Sequence, residues 1–91
     1  MAVLVKIPTQ LRAAAEGQSE ALLEGATVQD VLEGLFERFE ELRPRMAADD
    51  GSLRRFVNVY LAGEDIRFLD GLETPVSDGD EVTILPAVAG G

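Results

Sequence analysis

The sequence predicts an α+β domain in which one main helix packs against a mixed β-sheet. Three observations lead to this fold class. Apolar residues alternate with a period of two near the start of the chain, and again in residues 56–61 and 81–86, as in half-buried strands. Between these runs, apolar residues recur with a helical period over residues 28–42. With 91 residues, the chain has room for one small domain.

The first two predicted elements form a hairpin. Residues 2–8 alternate so that Val3, Val5 and Ile7 face the core, and Pro8 ends the strand because proline cannot donate to a ladder. Residues 11–17 are predicted to form a loop or a turn of helix. Residues 19–24 are predicted to be the second strand. Their Ala, Leu and Glu content favours a helix, and only the hairpin context favours a strand.

An amphipathic helix is predicted next. Thr27 is a good N-cap, with Asp30 three residues further on. The apolar stripe expected to face the core consists of Val28, Val31, Leu32, Leu35, Phe36, Phe39 and Leu42. Arg43 favours the C-terminal end of the helix, and Pro44 makes continuation beyond Arg43 unfavourable. Gly34 costs about 1 kcal/mol in mid-helix relative to Ala, which suggests that another backbone comes close there.

The second half of the chain is predicted to supply the remaining strands. Residues 46–52 are a linker, and residues 56–61 are the clearest strand. A turn leads to a short strand at residues 65–68, and a tight turn at residues 77–80 precedes the last strand at residues 81–86. This order matches, by analogy, the β-grasp or ubiquitin-like fold, with the first and last strands parallel at the centre. The predicted β-grasp domain spans residues 1–86, and residues 87–91 are a flexible C-terminal Gly-Gly tail.

The composition excludes several classes of protein. The chain has 17 acidic and 8 basic residues, a net charge of −9, and no Cys or His. Disulfides, zinc fingers, iron–sulfur clusters and Cys–His or Ser–His catalytic pairs are therefore excluded. The negative charge disfavours binding to nucleic acid and to anionic membranes. No apolar stretch is long enough to span a membrane and no signal-peptide pattern is present, so a cytoplasmic protein is expected.

The end of the chain carries the strongest functional signal. Two glycines occupy the last two positions, an arrangement with a chance probability of about 0.5%. The tail, which consists of Ala87, Val88, Ala89, Gly90 and Gly91, would span about 17 Å when extended and could enter a narrow channel in a partner enzyme. Its reactive group is the Gly91 carboxylate, which needs activation, for instance as an acyl-adenylate. A frayed terminus is the alternative interpretation.

These features predict a carrier and not an enzyme. No side chain of the chain could activate the Gly91 carboxylate, so a partner enzyme that uses ATP is required. No cofactor or metal is expected to be bound by the chain itself. The pairs Asp49–Asp50 and Asp78/Asp80 do not have the spacing of an EF-hand loop, and turns explain them better than calcium binding does.

Four outward-facing residues are a candidate docking surface. Leu4, Phe56, Tyr60 and Leu85 would lie on the sheet face opposite the helix and could form one apolar patch that docks the activating enzyme. Scattered surface apolar residues are the alternative. The acidic helix face is formed by Asp30, Glu33, Glu37, Glu40 and Glu41. It is interpreted as a solvated surface, with steering toward a basic partner as the alternative. Arg54 and Arg55 are interpreted as flanking a strand, with contact to an acidic partner as the alternative.

The chain resembles the MoaD/ThiS family of sulfur carriers. The resemblance lies in residues 55–61, 64–68 and 78–91, and covers nearly the whole chain. The Ile7-Pro8-Thr9 opening, the Arg-Phe-Val-Asn strand and the Leu-Pro-Ala-Val-Ala-Gly-Gly ending resemble in particular the branch that supplies sulfur for cysteine synthesis in mycobacteria. Pro86–Ala87 stands where the molybdopterin branch often has two prolines, which favours the cysteine branch.

The resemblance implies a mechanism. An E1-like adenylyltransferase/sulfurtransferase would adenylate Gly91 with ATP, and a sulfur donor would displace AMP to leave a C-terminal thiocarboxylate. In the cysteine branch, the acceptor is an aminoacrylate on a PLP-dependent cysteine synthase, and a metalloprotease then removes the new cysteine. In the MoaD branch the carrier binds the molybdopterin synthase large subunit, and in the ThiS branch the acceptor is the thiamin thiazole.

Two alternatives to a sulfur carrier stay open. A ubiquitin-like modifier would be joined to protein lysines through Gly91. A plain β-grasp binding module would need no covalent chemistry at its terminus.

Overall fold

The chain folds as one five-stranded mixed sheet covered on one face by helices. A computed structural model describes residues 2–86. The strands are β1 (Ala2–Lys6), β2 (Glu20–Glu24), β3 (Val57–Leu61), β4 (Glu64–Asp65) and β5 (Glu81–Pro86), and the α-helices are α1 (Val28–Arg38) and α2 (Leu42–Met46). Short 3-10 helices span Thr9–Ala15, Ile66–Phe68 and Gly71–Glu73. No helix in the described range is long and apolar enough to cross a membrane.

The sheet has the predicted β-grasp order. Its strands run β2-β1-β5-β3-β4, with β1 and β5 parallel at the centre and the other neighbours antiparallel. In the central pair Val5 lies opposite Val82, and both side chains are fully buried. The predicted second strand is confirmed. Its alternation buries Ala21 and Leu23 under α1, and this burial outweighs the helical propensity of the segment.

The predicted cap of the main helix is confirmed. The Thr27 side-chain oxygen accepts a hydrogen bond from the Asp30 backbone N–H at 3.2 Å. The Asp30 carboxylate in turn accepts from the Ala26 backbone N–H at 3.2 Å, so the two side chains satisfy donors on both sides of the helix start. These reciprocal bonds fix where the chain turns from β2 into α1.

The end of the main helix was predicted wrongly. α1 ends at Arg38, and a separate helix α2 then spans Leu42–Met46 with Pro44 inside it. A continuous helix through Pro44 would lose a hydrogen bond and place the proline ring against a carbonyl one turn earlier. Instead the chain leaves the helical conformation at Phe39 and restarts, so that Pro44 falls in a first turn whose N–H groups have no intrahelical acceptor. The predicted linker therefore begins too early, since Met46 is helical and buried.

The short strand near residue 65 was also placed wrongly. β4 covers only Glu64–Asp65, and Ile66–Phe68 form a 3-10 turn. The turn is favoured because the Asp65 carboxylate accepts a hydrogen bond from the Arg67 backbone N–H at 2.9 Å. The first strand ends at Lys6 rather than at residue 8, and the expected turn of helix after it is the 3-10 helix Thr9–Ala15.

A single aliphatic core joins the sheet to the helices. The buried cluster includes the inward residues of the central strands, the apolar stripe of α1, and Leu42 and Met46 of α2. Gly34 does not face a second backbone, contrary to the expectation. A Cβ added there would have the Leu23 Cδ2 atom as its nearest neighbour, at 3.8 Å. Gly25 is the crowded glycine, because a Cβ there would lie 2.7 Å from the Asp30 Cβ and 2.9 Å from the Val31 nitrogen.

The two glycines should respond oppositely to alanine. Gly34→Ala is expected to raise the free energy of unfolding by up to about 1 kcal/mol, because the new methyl group fits and the helix gains propensity. Gly25→Ala is expected to lower it by about 1–3 kcal/mol, because the methyl group overlaps the capped first turn of α1. Urea unfolding of the two variants and the parent measures both effects. A destabilised Gly34→Ala variant would contradict the open space seen beside Leu23.

Candidate functional site

The described part of the candidate site is the place where the chain leaves the sheet at Pro86. The predicted tail residues Ala87, Val88, Ala89, Gly90 and Gly91 lie outside the described residues, and so does the boundary predicted after residue 86. The domain boundary and the role of Gly91 therefore stay predictions. What the structure provides is the last strand of the sheet and the surfaces on each side of its end.

Strand β5 extends beyond its partner β1. The β1 pairing ends at Lys6 opposite Thr83, whereas the β3 pairing continues to Val57 opposite Pro86. Pro8 follows β1 and has no N–H to continue the ladder. The end of β5 is thus held by β3 on one side, and on the other it borders a cleft lined by residues that include Pro8, Thr83 and Leu85.

The predicted docking residues do not form one patch. Leu4, Tyr60 and Leu85 lie on the outer face, and Leu85, opposite Asn58, is diagonal to Tyr60. Phe56 lies in the turn just before β3 and lines the cleft beside α2 together with Pro86. Phe56 and Leu85 are 49% and 47% exposed, and Tyr60 is half-buried. We call Phe56, Tyr60 and Leu85 the outer trio.

Leu4 is separate from the outer trio. It is half-buried and pairs with Glu81 on one side and Leu22 on the other. The polar pair Lys6 and Thr83 occupies the next row of the sheet, between Leu4 and Leu85. The four-residue patch is therefore reduced to three residues near the end of β5.

Sequence reasoning missed one exposed aromatic residue beside the trio. Phe68 is 87% exposed and lines a shallow cleft with Tyr60, Glu64 and Asp65. The segment was interpreted as a strand, which concealed this residue. The Asp-Ile-Arg-Phe sequence did carry a usable signal, because an Asp that accepts from the N–H two residues on favours a turn.

A second cleft lies at the end of β5, beside α2. It has a volume of about 510 Å³ and is lined by Gln10, Leu11, Pro44, Arg45, Arg54, Phe56 and Pro86. Arg54 holds this region together, since its Nε donates to the Pro44 carbonyl at 2.8 Å and its backbone N–H donates to the Met46 carbonyl at 2.8 Å. The cleft could not be predicted because residues 44–46 were assigned to the helix end and a linker.

Two ion pairs on the described surface are half exposed to solvent. Lys6 donates to Glu20 at 2.9 Å, and this hydrogen bond raises the pKa of Lys6. Arg43 contacts Glu33 through both terminal nitrogens, at 2.9 and 3.3 Å, and this hydrogen bonding lowers the pKa of Glu33. Because all four side chains are about half exposed, these pairs contribute little to stability.

The acidic pairs act in turns, as predicted. The Asp50 carboxylate accepts from both the backbone N–H and the hydroxyl of Ser52, which lowers the pKa of Asp50. The Asp80 carboxylate accepts from the Ser77 backbone N–H at 2.8 Å, and Asp78 accepts from the backbone N–H of Ala2. Among residues 2–86, no group of three or more acidic side chains is arranged to hold a metal ion.

The strand order and the parallel central pair define a small ubiquitin-like domain of the β-grasp class. A model of the ThiS family matches residues 5–91, and the chain belongs to this family. The chain is 45% identical over 93 residues to the sulfur carrier protein CysO of Mycobacterium tuberculosis, and the match covers all of both chains. The resemblance seen in the sequence is therefore confirmed.

The chain is also similar to solved structures and to a protein named a modifier. A chain in the crystal structure of the Amycolatopsis orientalis BexX/CysO complex superposes with a TM-score of 0.90 at 45% identity, and covers 98% of this chain and 99% of its own. The small archaeal modifier protein 3 of Haloferax volcanii is 42% identical over 66 residues, which is 72% of this chain and 71% of the modifier. The first similarity confirms the fold prediction, and the second is a similarity to a protein that is named a modifier.

Substitutions at two adjacent residues of β5 should change the free energy of unfolding by different amounts. Ile84→Ala is expected to lower the free energy of unfolding by about 2–5 kcal/mol, because Ile84 is only 1% exposed and its removal leaves a cavity. Leu85→Ser is expected to cost less than about 1 kcal/mol, because nearly half of Leu85 is already in water. Chemical denaturation of both variants measures the difference. Equal losses would show that the outer face of β5 is part of the core and is not free to bind.

Proposed function

We propose that this protein is a sulfur carrier for cysteine biosynthesis that carries sulfur as a thiocarboxylate on Gly91. The observation that supports this most strongly is the ThiS family match, which extends through Gly91. Full-length identity of 45% to proteins named sulfur carrier protein CysO favours the cysteine branch. The same relatives support the proposal that this protein is a carrier and not a catalyst.

The chemistry requires two displacement steps, the first at the α-phosphorus of ATP and the second at the carbonyl carbon of Gly91. In the first, a carboxylate oxygen of Gly91 attacks the α-phosphate of ATP and pyrophosphate leaves, which gives a mixed anhydride with AMP. In the second, a sulfur donor attacks the carbonyl carbon and AMP leaves with the bonding electrons. The thiocarboxylate sulfur then attacks an electrophilic acceptor. The chain has no Cys and no His, so it has neither a thiol nucleophile nor an imidazole base for these steps, and it presents the terminus while partners provide catalysis.

The partners follow from this chemistry. We propose an E1-like enzyme that binds ATP and activates Gly91, then a PLP-dependent cysteine synthase that receives the sulfur, and a metalloprotease that releases the cysteine. The crystal structure of the BexX/CysO complex supports pairing between a similar carrier and a partner protein. No cofactor resident in this chain is needed, since ATP belongs to the activating enzyme. The cytoplasm is the compartment in which these steps would take place.

A protein modifier is the second candidate. The similarity to small archaeal modifier protein 3 favours it specifically. The two functions share adenylation of the terminus and differ in the group that attacks the adenylate. A sulfur donor gives a thiocarboxylate, whereas a protein lysine gives an isopeptide conjugate. The carriers in the molybdopterin and thiamin branches differ only in the acceptor of the sulfur.

The terminal group should show which product forms. Protein isolated from its host is expected to contain a species that is heavier by the difference between a sulfur and an oxygen atom, and that reacts with an alkylating agent. Since the chain has no cysteine, the alkylated site should map to Gly91. Intact-mass spectrometry measures both properties.

Deletion of Gly91 is the matched control for this measurement. The deletion variant should keep the fold and lose both the heavier species and its alkylation. High-mass conjugates that disappear in the deletion variant, without any thiocarboxylate in the parent, would instead establish the modifier. If the parent protein forms neither a thiocarboxylate nor conjugates, the remaining interpretation is a β-grasp binding module without covalent chemistry.

The outer trio is proposed to dock the activating enzyme. Phe56→Asp is expected to lower kcat/KM for ATP-dependent activation of the carrier by about tenfold or more, because it places a charge in an apolar contact. Leu22→Asp is the control, since Leu22 is 60% exposed but lies on the edge strand β2, which β1 separates from the nearest strand of the trio. Pyrophosphate release measures the rate. Equal rates for the two variants would show that the outer trio does not dock the activating enzyme.

A further inference from the structure

The charges at the end of β5 are opposite to those of the protein as a whole. The chain has a net charge of −9, with 17 acidic and 8 basic residues. The two clefts beside the end of β5 are lined, among the described residues, by four of the eight basic residues and by none of the acidic ones. These basic residues are Lys6, Arg12, Arg45 and Arg54. The positive charge is therefore concentrated where the tail begins.

Three of these cations keep most of their hydrogen-bond donors available. Lys6 is paired with Glu20, but Arg12, Arg45 and Arg54 form no ion pair within residues 2–86. We call these three arginines the exit collar. Arg12 uses its Nε to donate to the Ile7 carbonyl at 3.1 Å, and Arg54 uses its Nε to donate to the Pro44 carbonyl at 2.8 Å.

The Nε bonds orient two guanidinium groups without using their terminal nitrogens. A guanidinium has five N–H donors, and only one from each of these groups has a protein acceptor in the described part of the chain. Both residues are half-buried, so their stems are held by the surface around them. Such a preoriented guanidinium loses little entropy when it binds a carboxylate through two parallel bonds.

The distance to the reacting group limits what the collar can contact. The five residues after Pro86 would span about 17 Å in an extended conformation, as a tail inside a narrow channel must be. The phosphates of the adenylate would then lie too far away for the collar to reach them. The exit collar would instead contact the surface of the partner enzyme around the entrance of that channel.

We propose that the exit collar binds acidic side chains at the entrance of the channel in the activating enzyme. This inference rests on the proposed function, because it assumes that the tail enters an adenylating enzyme. An acidic entrance would repel the rest of this protein and attract only the collar. The protein would therefore approach with its tail first, and the charge pattern would raise the association rate of that orientation.

The test is the kinetics of thiocarboxylate formation with the cognate E1-like enzyme. Arg45→Glu, alone and combined with Arg54→Glu, is expected to lower kcat/KM at low salt by about 10-fold and 100-fold respectively, mainly through KM. The difference from the parent should shrink as KCl rises from about 0.05 M to about 0.5 M, because salt screens the attraction. If the double variant unfolds, the single Arg45→Glu variant still tests the proposal. Arg45 is exposed and its side chain makes no hydrogen bond within residues 2–86, so this substitution should not disturb the fold.

Arg38→Glu is the matched control. It makes the same change in charge on an exposed arginine of α1 that lines neither cleft, so its kcat/KM should stay within about twofold of the parent. A parent-like Arg45→Glu variant, or a loss confined to kcat, would overturn the acidic-entrance proposal. If the parent itself forms no thiocarboxylate, the proposed function fails, whatever the collar variants do.

Discussion

The parallel pairing of β1 with β5 is the constraint on which the rest of the structure depends. It joins segments from opposite ends of the chain in the middle of the sheet. β2 is attached to the outer side of β1, and β3 with β4 to the outer side of β5. Closing so long a loop is slow and entropically costly, and burial of Val5 and Val82 helps to offset that cost. The last described residue therefore belongs to a central strand.

This central position explains how the end of β5 is presented. A terminal segment that follows an edge strand would be anchored on one side by a single ladder. Here β5 is held by both neighbours up to Thr83, and by β3 up to Pro86. Pro8 ends the β1 ladder first, which opens one side of the last residues of β5 while the other side stays fixed. The sheet thus holds the last described residues of β5 on one side and leaves their other side open.

Element order and core residues could be predicted from the sequence because they depend on local periodicity. The alternation around Val3 and Val59 and the helical stripe around Leu35 each identify their buried face. The helix break before Pro44 could not be predicted, because a proline is compatible with either the end of one helix or the first turn of another. Tertiary burial of Leu42 and Met46 selects the second arrangement.

The candidate site was only partly predictable for a related reason. Exposure on the outer face follows from alternation, so Phe56, Tyr60 and Leu85 could be identified. Their separation from Leu4 depends on register, which sequence alone does not fix. The cleft beside α2 depends on where a helix restarts, so Arg45 could not be associated with the end of β5 in advance.

Net charge is a sum over the surface, and it conceals how the charges are distributed. The net charge of −9 determines how the whole protein repels another negatively charged molecule at long distance. Once two surfaces touch, the interaction depends on the charges within about 10 Å of the contact, because salt screens those farther away. At that range, the end of β5 presents arginines and an apolar face. Tyr60 and Leu85 of the outer trio lie on the outer face of the sheet, whereas Arg45 belongs to α2 on the helical side. Phe56 and Pro86 line the cleft that also contains Arg45, so both surfaces lie next to the end of β5, and successive partners could accept the same terminus through different contacts. A chain without catalytic side chains can distinguish its partners only by such surfaces.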